Sequence, residues 1–271
     1  MSEKNITRNM ALFCDFENVA LGVRDAKYAA FDIQKVLERL LLKGNIVVKK
    51  AYCDWARYKD FKAPMHEAAF ELIEIPHVRV SGKNSADIRM VVDALDLCYT
   101  KSHVDTFIII SGDSDFSPLV SKLRENNKVV IGVGVKNSTS DLLTSNCDEF
   151  IYYDDLIRDS EKQHKAKRKR SAAKDKAKAA PESEEERKQE ALDLVLEVIE
   201  DLFKERGEEE KVWGSMVKQT LKRRRPGFSE TYHGFRTFGQ LLEDAQKRKL
   251  LALEHDEKSG GYIIRSFVHE D

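Results

Sequence analysis

Apolar residues in the first half of the chain come as short unbroken blocks, at 10–14, 46–48, 107–110 and 129–133, separated by longer stretches with helical spacing. Blocks of β-branched and aromatic residues without polar alternation predict strands buried on both faces of a parallel sheet. The pattern places strands up to Asp15 and over residues 45–52, 77–80, 107–110, 128–134 and 149–153. It places helices over 31–43, which stops at Gly44, and over 58–72, where Pro64 delays the start, then over 86–99, 116–126 and 141–146. In the helix over 86–99, capped by Ser85, the residues Met90, Val91, Ala94, Leu95 and Cys98 recur at i, i+3, i+4. Alternating strands and helices across 10–157 imply right-handed crossovers and a three-layer α/β domain of Rossmann-like form.

The pattern changes after that. From 158 to 187 the apolar residues, apart from alanines, vanish, and a basic block containing Lys167, Arg168, Lys169 and Arg170 is followed by glutamates. This reads as a charged linker, a composition more often solvated than bound to phosphate. Residues 192–203 form an amphipathic helix, and the basic cluster Lys222, Arg223, Arg224 and Arg225 follows the segment 212–221. A helix over 235–245 and two strands at 250–253 and 262–264, joined by a polar hairpin, complete the chain. Helices followed by a β-hairpin describe a small winged-helix α+β domain, a module that often meets nucleic acid. The expected organisation is an α/β domain over 1–157, a linker over 158–187 and a winged helix over 188–271.

Charge sharpens this division. The net charge is -1, yet residues 1–157 carry twenty Lys/Arg against twenty-three Asp/Glu, a net of -3, while 211–271 carry twelve against eight, a net of +4. A basic second domain favours a polyanionic partner, with Arg223, Arg224 and Arg225 as candidate phosphate contacts. The four cysteines, Cys14, Cys53, Cys98 and Cys147, form no C-x-x-C pair, which argues against a zinc ribbon or a disulfide framework and for buried thiols in a reducing compartment. No apolar run approaches the roughly 20 residues that span a bilayer, and the start MSEKNITRN is polar, so a cytoplasmic protein without a membrane segment is expected.

The candidate chemistry lies where apolar blocks end. The block at 107–110 runs into Ser111, Gly112, Asp113, Ser114 and Asp115, and the block ending at Asp15 runs into Glu17 and Asn18. In open α/β sheets, ligands bind outside the carboxyl ends of the strands. Either stretch alone is also consistent with a turn in which Asp caps a helix. Two strands delivering acids to one end suggest a shared pocket. Two bare carboxylates about 4 Å apart repel by roughly 4 kcal/mol at an effective dielectric near 20, so such a pocket calls for a hard cation. Asp87, in the first turn of the helix over 86–99, can point into the same pocket or simply suit the helix dipole. Asp93, nearly two turns on and close to the same face, is a further candidate, whereas Asp96 lies off that face.

Three motifs then carry a resemblance. DFEN at 15–18, a K-x-x-x-D pattern from Lys83 to Asp87, and SGDSDF at 111–116 make residues 10–157 similar to the NYN domain family of PIN-like ribonucleases. Residues 211–265 resemble the LOTUS, or OST-HTH, winged helix through Phe228, the run Tyr232, His233, Gly234 and Phe235, and the pair Leu241 and Leu242. The resemblance implies a ribonuclease dependent on Mg²⁺ or Mn²⁺ and acting on RNA, with Asp15, Asp87, Asp113 and Asp115 as catalytic metal ligands. Asn18 and Ser111 would steady ligands or a phosphate, and Lys83 would offset charge on the reacting phosphate. The C-terminal module would bind RNA or a protein partner. Two other readings stay open: a non-catalytic RNA-binding adaptor, and a phosphatase of the haloacid-dehalogenase type with Asp15 as nucleophile. The second ordinarily wants Asp rather than Glu at position 17.

Overall fold

The computed structural model describes residues 8–75, 85–160, 184–207, 210–257 and 259–267. The chain divides into two compact units, Met1–Arg170 and Ser171–Asp271.

The first unit runs β1 (Arg8–Asp15), α1 (Phe16–Asp25), α2 (Ile33–Lys43), β2 (Gly44–Cys53), α3 (Lys62–Glu67), β3 (Glu71–Glu74), α4 (Ser85–Thr100) and β4 (Thr106–Ile110). It continues with α5 (Ser117–Glu125), β5 (Val129–Gly134), α6 (Asp141–Asn146), β6 (Glu149–Tyr152) and α7 (153–160). All six strands are parallel, in the order β3-β2-β1-β4-β5-β6. The sheet is built outward from β1 to β3, and the chain then crosses back to lay β4 on the other side of β1. That reversal opens a crevice at the carboxyl ends of β1 and β4. The register pairs Cys14 with Ile110, so Asp15 and Ser111 leave the sheet at the same level.

Alternation along the central strands divides the core. Leu12, Cys14, Ile108 and Ile110 face one side with Phe16, Phe31 and Trp55. Phe13, Phe107 and Ile109 face the other with Met90, Ala94 and Cys98 of α4 and Leu119, Val120 and Leu123 of α5. Every residue of β4 is buried, as its unbroken apolar run requires.

The structure departs from expectation between β2 and α4. In place of a helix over 58–72 there is a short 3-10 turn at Lys59–Phe61, then α3, which ends at Glu67. Ala69 has φ of 57° and turns the chain into β3, which pairs with Lys50–Cys53. Apolar residues at 65, 68 and 72 satisfied helical spacing, but Phe70 lies off that face, and Leu72 belongs to a strand. The expected strand over 77–80 lies outside the described residues. The helix α1 had no counterpart in the sequence reading. Its apolar positions Phe16, Val19 and Val23 follow helical spacing directly after a strand, so the acids between them read as a loop.

The second unit comprises α8 (Glu184–Arg206), β7 (Val212–Trp213), α9 (Gly214–Arg224), α10 (Phe238–Lys247), β8 (Leu251–Asp256) and β9 (Gly261–Phe267). The last two strands form an antiparallel hairpin, and β7 adds to β9 to give the order β7-β9-β8. Three helices with this small sheet form the expected α+β arrangement. The amphipathic helix expected over 192–203 is longer, beginning among Glu184, Glu185 and Glu186, whose charge suits a helix N-terminus. Among the described residues, no helix is long and apolar enough to cross a membrane.

The turn from α2 into β2 has no room for a side chain. A Cβ on Gly44 would stand 2.4 Å from the backbone carbonyl oxygen of Arg8. We expect Gly44→Ala to lower stability by about 1–3 kcal/mol, since backbone must yield, with a lower urea midpoint at unchanged m-value as the check.

Candidate functional site

Asp15 ends β1, caps α1 and is buried, with 8% of its surface exposed. Its Oδ1 accepts a hydrogen bond from the Asn18 backbone N–H at 3.3 Å, and its Oδ2 accepts from Ser111 Oγ at 3.0 Å. Asn18 reaches back across the crevice, its Oδ1 accepting from the Gly112 N–H at 2.9 Å. Ser111 Oγ in turn accepts from the Asp113 N–H at 3.2 Å, and Asp113 Oδ1 accepts from the Asp115 N–H at 2.9 Å. Four residues from DFEN and SGDSDF, Asp15, Asn18, Ser111 and Gly112, thus stitch the ends of β1 and β4 together. Gly112 is required here. A Cβ would stand 2.4 Å from the Ser138 carbonyl oxygen, on the loop after β5 that closes one wall of the crevice.

The carboxylates share one electrostatic field. Burial, then the charge of Asp87, push the Asp15 carboxyl up to about 7 against the hydrogen bonds from Asn18 and Ser111, with Asp113 adding to the rise. Burial also raises Asp87 to about 6, followed by the charges of Asp113, Asp115 and Glu17. Asp87 is therefore near enough to the acids after β1 and β4 to feel their charge. The side chain of Glu17 lies 3.0 Å from Arg57, an exposed residue after β2 that the motifs gave no reason to single out. Its signal lay only in the fold, which brings the turn after β2 beside the start of α1.

All donors at the site are oxygens from carboxylate, hydroxyl and amide groups, which suit a hard divalent cation and not a soft one. A cation would also relieve the repulsion that adds to burial in raising Asp15 and Asp87. As the side chains stand, no group of three His, Cys, Asp or Glu among the described residues is gathered closely enough to hold a metal. The acids form a field rather than a closed coordination shell.

Asp93 belongs elsewhere. Six residues turn a helix by about 600°, leaving Asp93 roughly 120° away from Asp87, not on its face. Its carboxylate accepts from Tyr52 Oη at 2.9 Å and from Arg89 Nε at 3.0 Å, with Lys50 Nζ at 3.5 Å. This clamp ties α4 to β2 and so sets where Asp87 sits. Lys83 lies outside the described residues. In the second unit, the three candidate arginines differ: Arg224 donates to Asp201 at 2.7 Å in a largely buried pair, Arg223 is half-buried, and Arg225 is exposed beside exposed Lys222. Desolvation lowers the Arg223 guanidinium below its ordinary value.

The raised Asp15 carboxyl has a consequence for metal-free protein. Its folded-state value of about 7 lies above the model-peptide value near 3.8, so its contribution to stability is present in full below the lower value. That contribution is lost as pH rises through about 7, and a shift of about 3 units corresponds to roughly 4 kcal/mol. Asp15→Asn cannot ionise and keeps the shape of the cap. In EDTA, its thermal midpoint should gain on that of the unaltered protein as pH rises from 4 to 8; parallel pH profiles would contradict the assignment.

The fold and sequence have counterparts. An uncharacterised protein of Methanocaldococcus jannaschii is 30% identical over 139 residues, covering 51% of this chain and 54% of that protein. Meiosis regulator and mRNA stability factor 1 of Xenopus tropicalis is 24% identical over 150 residues, 55% of this chain but only 9% of its own length. The chain therefore spans about half of one curated relative and a small part of the other. The crystal structure of a protein of unknown function from Vibrio parahaemolyticus superposes with a TM-score of 0.50 at 27% identity, covering 57% of this chain and 98% of that one. The family model of the NYN domain matches residues 9–161, more than half of the chain, and by that match the chain belongs to the NYN domain family.

Proposed function

We propose that the protein is a divalent-metal-dependent ribonuclease, with Asp15, Asp87, Asp113 and Asp115 as its metal-binding and catalytic carboxylates. The observation that carries this reading is the coupling of Asp15 to Asp87 and Asp113 in a crevice at the β1/β4 switch point. Family membership supports nuclease-like action on RNA, and the frog relative's name ties that protein to mRNA stability.

Mg²⁺ or Mn²⁺, held by these aspartates, would supply an acidified, oriented water and charge stabilisation at the phosphate. The chain's own residues do the positioning. Ser111 and Asn18 hold the ends of β1 and β4 in register, and the Asn18 and Ser111 hydrogen bonds favour the ionised form of Asp15. Burial of Asp15 excludes water from that side chain and strengthens its interaction with charge. Arg57, exposed beside Glu17 at the site, is a cation available to a substrate phosphate, and Lys83 is proposed for the same role from its place in the motif.

The C-terminal unit is proposed as a LOTUS-like module for RNA or a protein partner. Several residues that carry that resemblance are structural: Phe228 stacks on His233 at 5.2 Å, and His233 Nδ1 lies 3.0 Å from the Arg187 carbonyl oxygen. Phosphate contact then falls to exposed Lys222 and Arg225, with Arg223 at their side.

Labelled single-stranded and structured RNA incubated with Mg²⁺ or Mn²⁺ tests the enzyme. Cleavage should disappear with EDTA and fall by at least about 100-fold in Asp113→Asn, with RNA affinity kept. RNA bound without cleavage under all conditions would favour a non-catalytic adaptor, and hydrolysis of a phosphate monoester without RNA cleavage would favour a phosphatase. For the second unit, Lys222→Gln with Arg225→Gln should flatten the slope of log affinity against log salt by nearly two units. Arg224→Gln should instead lower the unfolding midpoint by breaking its pair with Asp201.

A further inference from the structure

The helix α4 is apolar on both sides. Met90, Ala94 and Cys98 enter the core, while Ile88, Val92 and Tyr99 face outward with 63%, 55% and 65% of their surface exposed. Leu95, partly buried, lies between Val92 and Tyr99 on the same outward stripe by helical spacing. Three of the six large exposed hydrophobic residues among the described residues thus occupy one face of one helix. A helix that is apolar all round is ordinarily covered on both sides.

The stripe also has a symmetry. Ile88, Val92, Leu95 and Tyr99 are spaced by four, three and four residues, so the pattern reads the same from either end. Two copies of α4 laid antiparallel about a two-fold axis near residues 93 and 94 would set Ile88 against the second copy's Tyr99 and Val92 against its Leu95. This is an isologous contact, in which one patch serves both partners. Charge agrees with the same register. Arg89 and Asp96 flank the stripe on one side, and in this arrangement the Arg89 of each copy falls within about 3 Å along the axis of the other's Asp96. Arg89 uses Nε to hold Asp93 at 3.0 Å, which leaves its terminal nitrogens for a second carboxylate. Asp96 has no ion pair among the described residues.

We propose that this face of α4 is the contact of a homodimer, packed antiparallel on a second copy of the same chain. The inference is independent of the nuclease reading, since none of the four stripe residues belongs to the acidic site.

Sedimentation velocity and light scattering of the full chain under reducing conditions test it, over a concentration series reaching about 100 µM, as suits a contact built on one helix pair. The unaltered protein should approach the mass of two chains, and Val92→Glu should remain a single chain with an unchanged thermal midpoint at low concentration. Asp96→Arg should weaken the dimer by at least about tenfold by setting like charges together, and adding Arg89→Asp should restore part of the loss. A single chain at every concentration, or a dimer that survives Val92→Glu, overturns the proposal. So does a Val92→Glu protein that loses thermal stability while the unaltered protein is monomeric, because the stripe is then covered within its own chain. RNA cleavage measured on the same samples separates this result from the fate of the nuclease reading.

Discussion

The hydrogen bonds that close the end of β1 onto the end of β4 are the constraint on which the first unit depends. At a switch point, two neighbouring strands send their chains to opposite faces of the sheet, and the backbone groups just beyond them lose their ladder partners. Ser111, Asn18 and the Asp15 carboxylate replace those partners. The arrangement leaves a crevice and fixes its floor in the same few contacts. The tight approach of the Ser138 loop to Gly112 fixes one of its walls.

That solution leaves an electrostatic debt. A carboxylate with little exposed surface and other acids nearby is protonated more readily than an ordinary one, as the raised values of Asp15 and Asp87 show. Folding tolerates it because Asp15 accepts two hydrogen bonds and because α1 begins at the same residue. The Asp93 clamp performs the complementary task on α4, using Tyr52, Arg89 and Lys50 to hold a helix whose first turn carries another acid toward the crevice. The acids are therefore held within one another's field by contacts outside the site.

Much of this was legible in the sequence, for identifiable reasons. The buried strands announced themselves because parallel strands covered on both faces must be continuously apolar, as the five buried residues of β4 are. The placement of Asp15 and Asp113 followed from the general rule that strand ends form the crevice. What was not legible depended on tertiary partners. Met65, Ala68 and Leu72 fit helical spacing, and the edge position beside β2 makes the last of them part of a strand. Asp93 was separable by helical arithmetic, which sets it about 120° from Asp87, but the partners that occupy it, Tyr52 and Lys50, come from the strand β2. Arg224 carried the same sequence signal as Arg225, and Asp201, more than twenty residues away, separates their roles. Pairings of this kind leave no mark on local periodicity.

The double duty of Asp15 has a consequence for how relatives are compared. Because it caps a helix and joins two strands, a descendant that had abandoned catalysis would still be under pressure to keep it, together with Asn18, Ser111 and Gly112. Their retention reports an intact scaffold. Asp115, exposed at the rim, and Asp87, in the first turn of α4, have no comparable part in holding the backbone. On the proposed nuclease reading, loss of activity in the lineage would therefore be written first at those two positions.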